Sequence, residues 1–286
     1  MVTIGAHVSV KGGILNSFDR ALEIGAEAVQ VHPTAPQTWR HLDPPEETVA
    51  SFRQRMAETG LGSFFFHAVY LINLATARED LLASSEDALA HYLDLANRFG
   101  VSGVIFHPGS HRGQGFEATL PQMSRAMRRA LEAAGGDSRL LIENSAGAGD
   151  NVGSSFAQIR QMMDAVASPR VGLCLDTAHA FTAGYDLASA GGLDAMTEEI
   201  RREIGADRLW AIHANDSKAP LASNRDRHEN IGDGFIGADA FRRMLADPLL
   251  RQAPFILEVP GLEHQGPDRA NVTRLRDLAG PATAGS

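Results

Sequence analysis

The 286-residue chain has a single cysteine, Cys174. One thiol cannot close a disulfide within the chain, so a packed core must hold the fold, and a reducing compartment is the easier setting. Cys174 lies inside the apolar stretch Val171–Asp176, where a small buried hydrophobe is its expected role. No apolar run approaches the roughly 20 residues a helix needs to span a bilayer, and the amino terminus shows no charged-then-apolar signal segment. These absences predict a soluble, cytoplasmic protein with no membrane partner. Positive charge is also scarce: 26 Lys and Arg face 35 Asp and Glu, for a formal charge of −9. Nucleic-acid affinity rests largely on neutralising phosphates, so this balance opposes such a partner unless bound cations supply the missing charge. No Ser/His/Asp or Cys/His set stands out as a nucleophile, and no internal repeat is visible.

What the chain has is a series of short apolar runs that end on metal-binding side chains. His67 closes Gly62–His67, His107 closes Gly103–His107, Glu143 closes Leu140–Glu143 and Asp176 closes Val171–Asp176. His213 closes Leu209–His213, Glu258 closes Pro254–Glu258, and His7 and His32 end the first two runs. A polar residue after a strand is often only a turn or cap residue. A barrel built for stability alone would use Asp, Asn, Ser and Gly there, whereas imidazole and carboxylate together form the ligand set of zinc or manganese.

The runs predict strands over Thr3–His7, Ala28–His32, Ser63–His67, Gly103–His107, Leu140–Glu143, Gly172–Asp176, Leu209–His213 and Phe255–Glu258. Their continuous apolar character fits strands buried on both faces. Helical stripes lie between them: Val49, Phe52 and Met56 before Gly60; Leu89, Tyr92, Leu93, Ala96 and Phe99 before Gly100; and Leu120, Met123, Met127, Ala130 and Leu131 before Gly135. Further stripes are Met196, Ile200 and Ile204; Phe241, Met244 and Leu245; and Val272, Leu275 and Leu278. Alternating strands and helices predict an α/β fold, a single-domain (β/α)8 TIM barrel over residues 1–280, with 281–286 a disordered tail. A barrel of roughly 250 residues uses nearly the whole chain, and its strand ends would converge on one C-terminal mouth as a metal cluster.

Two loops add ligands at that mouth. Asp176-Thr-Ala-His179 offers a second group three residues after the first. Asp226-Arg-His228 lies in the long polar segment Asn215–Gly237, and i, i+2 spacing puts two side chains on one side of an extended chain.

The segments Gly5-Ala-His-Val-Ser9, His67-Ala-Val-Tyr-Leu-Ile-Asn-Leu74, His107-Pro-Gly-Ser-His111 and Ile142-Glu-Asn-Ser-Ala-Gly147 resemble the endonuclease IV family of DNA-repair enzymes. So do Cys174–Asp186, His213-Ala-Asn-Asp-Ser-Lys218, Arg225–Glu229 and Ile231-Gly-Asp-Gly234. The resemblance implies a trinuclear zinc site cleaving the phosphodiester 5′ to an abasic site in damaged double-stranded DNA, leaving a 3′-OH and a 5′-deoxyribose phosphate. It implies His67, His107 and Glu143 on a first metal, with Glu143 bridging to a second completed by Asp176, His213 and Glu258. His179, Asp226 and His228 would hold the third, which is open to Zn2+ or Mn2+. Glu143 and Glu258 are the implied catalytic carboxylates. Tyr70 and Leu71 would enter the duplex as a wedge, and Lys218, Arg225 and Arg227 would contact DNA phosphates. His7, His111 and Asn144 would orient ligands, while His41, His91 and His264 read as isolated surface groups. A monomer is expected.

The chain departs from the family after the second strand. Members carry Lys, Asn and Arg there, but this segment reads His32-Pro-Thr-Ala-Pro-Gln-Thr-Trp39, with no basic residue before Arg40. Ala68, Val69 and Ala178 also differ from the usual residues, though none replaces a ligand. The competing reading is a sugar isomerase or epimerase of the xylose-isomerase-like barrels, which use a smaller carboxylate-rich site. Glu143, Asp176 and Glu258 would serve it, but His67, His107, His179, Asp226 and His228 would then have no purpose. A non-catalytic metal-binding or DNA-binding protein is the third reading, and it is opposed because a structural zinc site is closed and usually tetrahedral, whereas this ligand set is spread around an open mouth.

Overall fold

In the computed structural model, which describes residues 2–280, six of the eight barrel strands send alternate side chains into two different cores. On β3, Phe64 and Phe66 point outward and join Phe18, Phe52 and Phe99, whose rings meet edge-on at centroid distances such as 4.8 Å for Phe52–Phe99. Phe65 points inward and packs with Ile105, Leu141, Cys174, Ala211 and Ile256, one residue from each of six strands. Cys174 is therefore a core residue, and burial pushes its thiol up to about 12.

The elements follow the expected alternation. The strands are β1 (Ile4–His7), β2 (Ala28–Val31), β3 (Ser63–His67), β4 (Gly103–Phe106), β5 (Arg139–Glu143), β6 (Val171–Asp176), β7 (Leu209–His213), the two-residue β8 (Asp216–Ser217) and β9 (His228–Glu229), and β10 (Phe255–Leu257). All but β8 and β9 form one closed parallel barrel in the order β1-β10-β7-β6-β5-β4-β3-β2. Every predicted barrel strand is present, with each end within one residue of its expected position. The helices are α1 (Asn16–Ile24), α2 (Glu46–Thr59), α3 (Glu79–Phe99), α4 (Phe116–Ala134), α5 (Phe156–Val166), α6 (Thr177–Ala183), α7 (Ala190–Glu203), α8 (Ala238–Ala246) and α9 (Arg269–Ala279). The expected stops Gly60 and Gly100 sit at helix ends with φ of 67° and 71°, a left-handed conformation that glycine adopts without a Cβ clash. No helix among the described residues is long and apolar enough to cross a membrane. The tail expected to fray, 281–286, lies outside the described residues.

The inward layer positions the site. Two residues beyond Phe65, Ile105, Leu141, Cys174, Ala211 and Ile256 come His67, His107, Glu143, Asp176, His213 and Glu258, so strand periodicity alone brings six candidate ligands to the same mouth. The long loop after β7 brings the others. β8 and β9 pair antiparallel inside it, and the Asp216 carboxylate accepts hydrogen bonds from the N–H groups of Gly232, Gly234 and Ile236 at 2.9–3.1 Å. A Cβ on Gly234 would lie 2.4 Å from the Ser217 carbonyl oxygen, so this fastening requires glycine. The clasp folds the loop back and delivers Asp226 and His228 to the barrel mouth.

Candidate metal centre

Glu143 occupies the middle of the cluster, almost fully buried. Its Oε2 lies 3.0 Å from His67 Nε2 and 3.3 Å from His107 Nε2, and its Oε1 lies 3.0 Å from His213 Nδ1. Glu258 Oε2 is 3.2 Å from His213 Nδ1, and Asp176 Oδ2 is 3.6 Å from His228 Nε2. Asp226 spans two rings, Oδ2 lying 3.2 Å from His179 Nε2 and Oδ1 3.3 Å from His228 Nε2. Donors sharing one zinc at roughly 2.0–2.2 Å stand roughly 3–4 Å apart, which is the spacing seen here. Three groups could hold an ion: His67, His107 and Glu143; Glu143, Asp176, His213 and Glu258; and Asp176, His179 and His228. The first two match the ligand sets the resemblance implies. In the third, Asp176 joins the histidines from below while Asp226 reaches both from the loop.

The imidazoles are oriented for this use. His67 Nδ1–H donates to the Ala68 carbonyl at 2.8 Å and His179 Nδ1–H to that of Asn144 at 2.9 Å, while His228 Nδ1 faces the Glu258 carbonyl at 3.3 Å. Each ring thus turns Nε2 toward the carboxylates, where its lone pair would be free for a cation. The Nε2 atoms of His179 and His228 are buried and have no hydrogen-bond partner among the described residues, although Asp226 is close to both. Buried nitrogens with nothing to accept from are costly, and a cation between them and the carboxylates would satisfy both. On that test the residues present fit a metal cluster.

The charges fit it too. Burial pushes the Glu143 carboxyl up, but His107 and His213 beside it prevail and hold it well below the usual carboxylate range. Glu258 is held down in the same sense, burial opposing and His213 and His7 prevailing. Burial likewise opposes a proton on His179 or His213, yet Asp176 beside the one and Cys174 and Glu258 beside the other raise both rings well above the ordinary imidazole value. Without a metal, protons would balance the ionised carboxylates, and divalent ions would take over that role. His32 differs: burial, then His67 and His7, lower it to about 2, so it stays neutral.

Asp176 is both ligand candidate and cap. Its Oδ1 accepts from His179 N at 2.7 Å at the start of α6, and its Oδ2 accepts from Asn215 Nδ2 at 2.7 Å. Asn144 grips the Asp176 backbone, accepting from its N–H at 2.7 Å and donating to its carbonyl at 3.0 Å. Of the other expected orienting residues, His7 does contact Glu258, at 3.3 Å, but His111 instead accepts from Gly115 N before α4 and serves the loop. His41 and His91 are not isolated: their rings stack at 4.1 Å, His41 pairs with Asp87 and His91 accepts from Leu42 N. His264 is exposed, as expected.

Tyr70 is 56% exposed and stands over the cluster, its ring 5.7 Å from His67 and 6.0 Å from His107, whereas Leu71 is partly buried against the outer core. The non-basic segment after β2 supports Tyr70, whose N–H donates to the Pro36 carbonyl at 3.1 Å. Lys218 pairs with Glu229 at 3.3 Å, Arg227 donates to the Asp226 carbonyl, and Arg225 is exposed. Two cavities flank the cluster: one of about 250 Å³ between Tyr70, His107, His179 and Asp226, and one of about 630 Å³ between His7, His32, Tyr70 and Glu258. Two polar residues escaped the sequence reading. Asn215 also accepts from Glu258 N at 2.9 Å, and Gln30 contacts His7, His213 and Glu258. Gln30 had a visible signal, as the one polar residue inside the run Ala28–Val31.

The family model described as "Xylose isomerase-like TIM barrel" matches residues 18–278. A "Probable endonuclease 4" of Methanoculleus marisnigri is 39% identical over 282 residues, covering 98% of this chain and all of that protein. The crystal structure of endonuclease IV from Thermus thermophilus superposes with a TM-score of 0.84 at 33% identity, over 96% of this chain and 98% of that one. An L-ribulose 3-epimerase structure superposes with a TM-score of 0.71 at 17% identity, over 98% and 94% of the two chains, and shares the fold alone. By full-length identity to its relatives and by this site, the chain belongs to the endonuclease IV family.

Proposed function

We propose that this chain is a metal-dependent endonuclease that hydrolyses the phosphodiester on the 5′ side of an abasic site in double-stranded DNA, leaving a 3′-OH and a 5′-deoxyribose phosphate. Up to three ions would be held, zinc at the first two sites and zinc or manganese at the third. The carrying observation is the surplus of ligands: three metal-capable groups meet at one mouth through the shared carboxylates of Glu143 and Asp176. When bound, such ions supply a hydroxide at neutral pH and neutralise charge on the phosphate and the departing oxygen.

The chain's own residues prepare the place. Glu143 bridges the first two groups, and Glu258, facing the larger cavity, lies where it can orient a water for attack. Tyr70, between the two cavities, is placed to hold distorted DNA open, with Leu71 packed behind it. Lys218, Arg225 and Arg227 lie on exposed parts of the loop after β7, where they can reach phosphates. The direct test incubates the purified protein with a duplex carrying one abasic analogue, with and without chelator. A single nick 5′ to the lesion, abolished by chelation, is expected. No nick under any metal condition would overturn the reading.

Two further outcomes follow. Elemental analysis of protein purified without added metal, then reconstituted with zinc, should approach three ions per chain, and a value fixed near one would sink the trinuclear arrangement. Tyr70→Ala should leave that stoichiometry unchanged but lower nicking of the abasic duplex by roughly tenfold or more, because stacking against bases contributes ~1–3 kcal/mol per contact. Unchanged DNA binding and cleavage would make Tyr70 a bystander.

A further inference from the structure

We propose that Gln30 is a positioning residue whose single amide decides which nitrogen of His213 and which oxygen of Glu258 face the metal centre. Gln30 is completely buried on β2, in a strand otherwise made of Ala28, Val29 and Val31. Burying an amide among apolar residues is unfavourable unless its hydrogen bonds are made, and here they are made to the site alone. Its Nε2 donates to Glu258 Oε1 at 2.6 Å and to His7 Nδ1 at 2.9 Å, and its Oε1 accepts from His213 Nε2 at 2.7 Å.

The contact with Glu258 fixes the direction of the whole network. A carboxylate only accepts, so the amide atom 2.6 Å from it must be the nitrogen, and the atom facing His213 must be the oxygen. His213 Nε2 therefore carries a proton, and Nδ1, which faces Glu143 Oε1 at 3.0 Å and Glu258 Oε2 at 3.2 Å, is the nitrogen left to offer a lone pair to an ion. The same amide occupies Glu258 Oε1 and leaves Oε2 for the centre. His213 is thus reversed relative to His67, His179 and His228, whose Nδ1 atoms face backbone carbonyls and whose Nε2 atoms face the site. A backbone carbonyl serves those three rings, but His213, inside the barrel, relies on a side chain from β2, three strands away around the barrel.

The inference rests on the reading of this site as a metal centre, and its test separates the two. Gln30→Met keeps the length of the side chain and removes every hydrogen bond. In zinc-loaded protein, chelator competition should show one ion held roughly 10–100-fold more weakly than in the unmodified chain, the range typical for loss of a partner that orients a ligand, with the other ions unmoved. A competition curve that superposes on the unmodified one would overturn the role of Gln30. Should that variant not fold, the unmodified chain decides. With 15N-labelled histidine and cadmium-113 in place of zinc, coupling should run through Nδ1 for one histidine, which keeps a slowly exchanging Nε2 proton, and through Nε2 for the others. Coupling through Nε2 for every histidine would refute the assignment. An unmodified chain that holds no divalent ion would instead overturn the metal-centre reading itself.

Discussion

Glu258→Gln should fold like the unmodified chain and lose cleavage by two to three orders of magnitude, about 3–4 kcal/mol of transition-state stabilisation. The amide keeps the shape, and its oxygen can still accept the hydrogen bond that Gln30 Nε2 gives to Glu258 Oε1. Its NH2 would then face His213 Nδ1, where Oε2 now lies 3.2 Å away, so a ligand oxygen and a negative charge vanish together. The unfolding temperature should stay within a few degrees, since about 1 kcal/mol shifts a domain of this size by roughly 2–4 °C. Melting and nicking measured on one sample check both halves. Turnover near that of the unmodified chain would remove Glu258 from the chemistry, and collapse of the melt would mean that it acts only through folding.

The barrel was legible because its signals were redundant. Eight apolar runs of strand length alternated with helical stripes, and strands buried on both faces leave little room for another fold. What the runs could not reveal is which residues of each strand face the barrel interior and which face the helices. Phe64, Phe65 and Phe66 look alike in sequence, yet the middle ring lies inside the barrel and the outer two beneath helices. Once that parity is known, His67, His107 and Glu143 fall on the inward face without further assumption. Three helices drew no prediction, for different reasons. α5 carried a readable stripe of Phe156, Ile159, Met163 and Val166. α6 spans seven residues and is buried on nearly every side, so it has no amphipathic period to read. α1 is only nine residues long, shorter than periodicity reads well.

A capping role and a place in a metal-capable group are compatible in one strand-end residue rather than exclusive. Asp176 caps α6 and lines two of the metal-capable groups, one oxygen for each use. Glu143, at 1% exposure, has no capping role, and its carboxylate meets only imidazoles. An ionised carboxylate buried without partners would cost several kcal/mol, so the cluster is either protonated or metal-filled. That choice also bears on the net charge of −9, which is unhelpful for a DNA partner until cations sit at the mouth. The residues found only in the structure, Gln30 and Asn215, line neither of the two cavities beside the cluster. They hold ligands from behind; Gln30 was marked as the one polar residue of its apolar run, whereas nothing in the position of Asn215 marks such work.

The sharpest division between nuclease and sugar isomerase lies in the third group. Replacing both Asp226 and His228 by Ala removes a carboxylate and an imidazole that face His179 and Asp176 from the loop after β7. The inner carboxylates Glu143, Asp176 and Glu258 stay where they are, since the loop is clasped by Asp216 and not by the mutated pair. For the nuclease, the double variant should hold one ion fewer and lose at least a hundredfold in cleavage, because charge developing on the phosphate and its leaving oxygen loses a partner. An isomerase needs only the inner carboxylates, so it would keep ketose–aldose conversion after the same change, and the unmodified chain would convert sugars without nicking abasic DNA. Assaying both proteins on both substrates gives opposite patterns. Sugar conversion that survives the double replacement would overturn the endonuclease reading, while loss of nicking together with one metal equivalent would tie the phosphodiester chemistry to the loop ligands that the isomerase reading leaves idle.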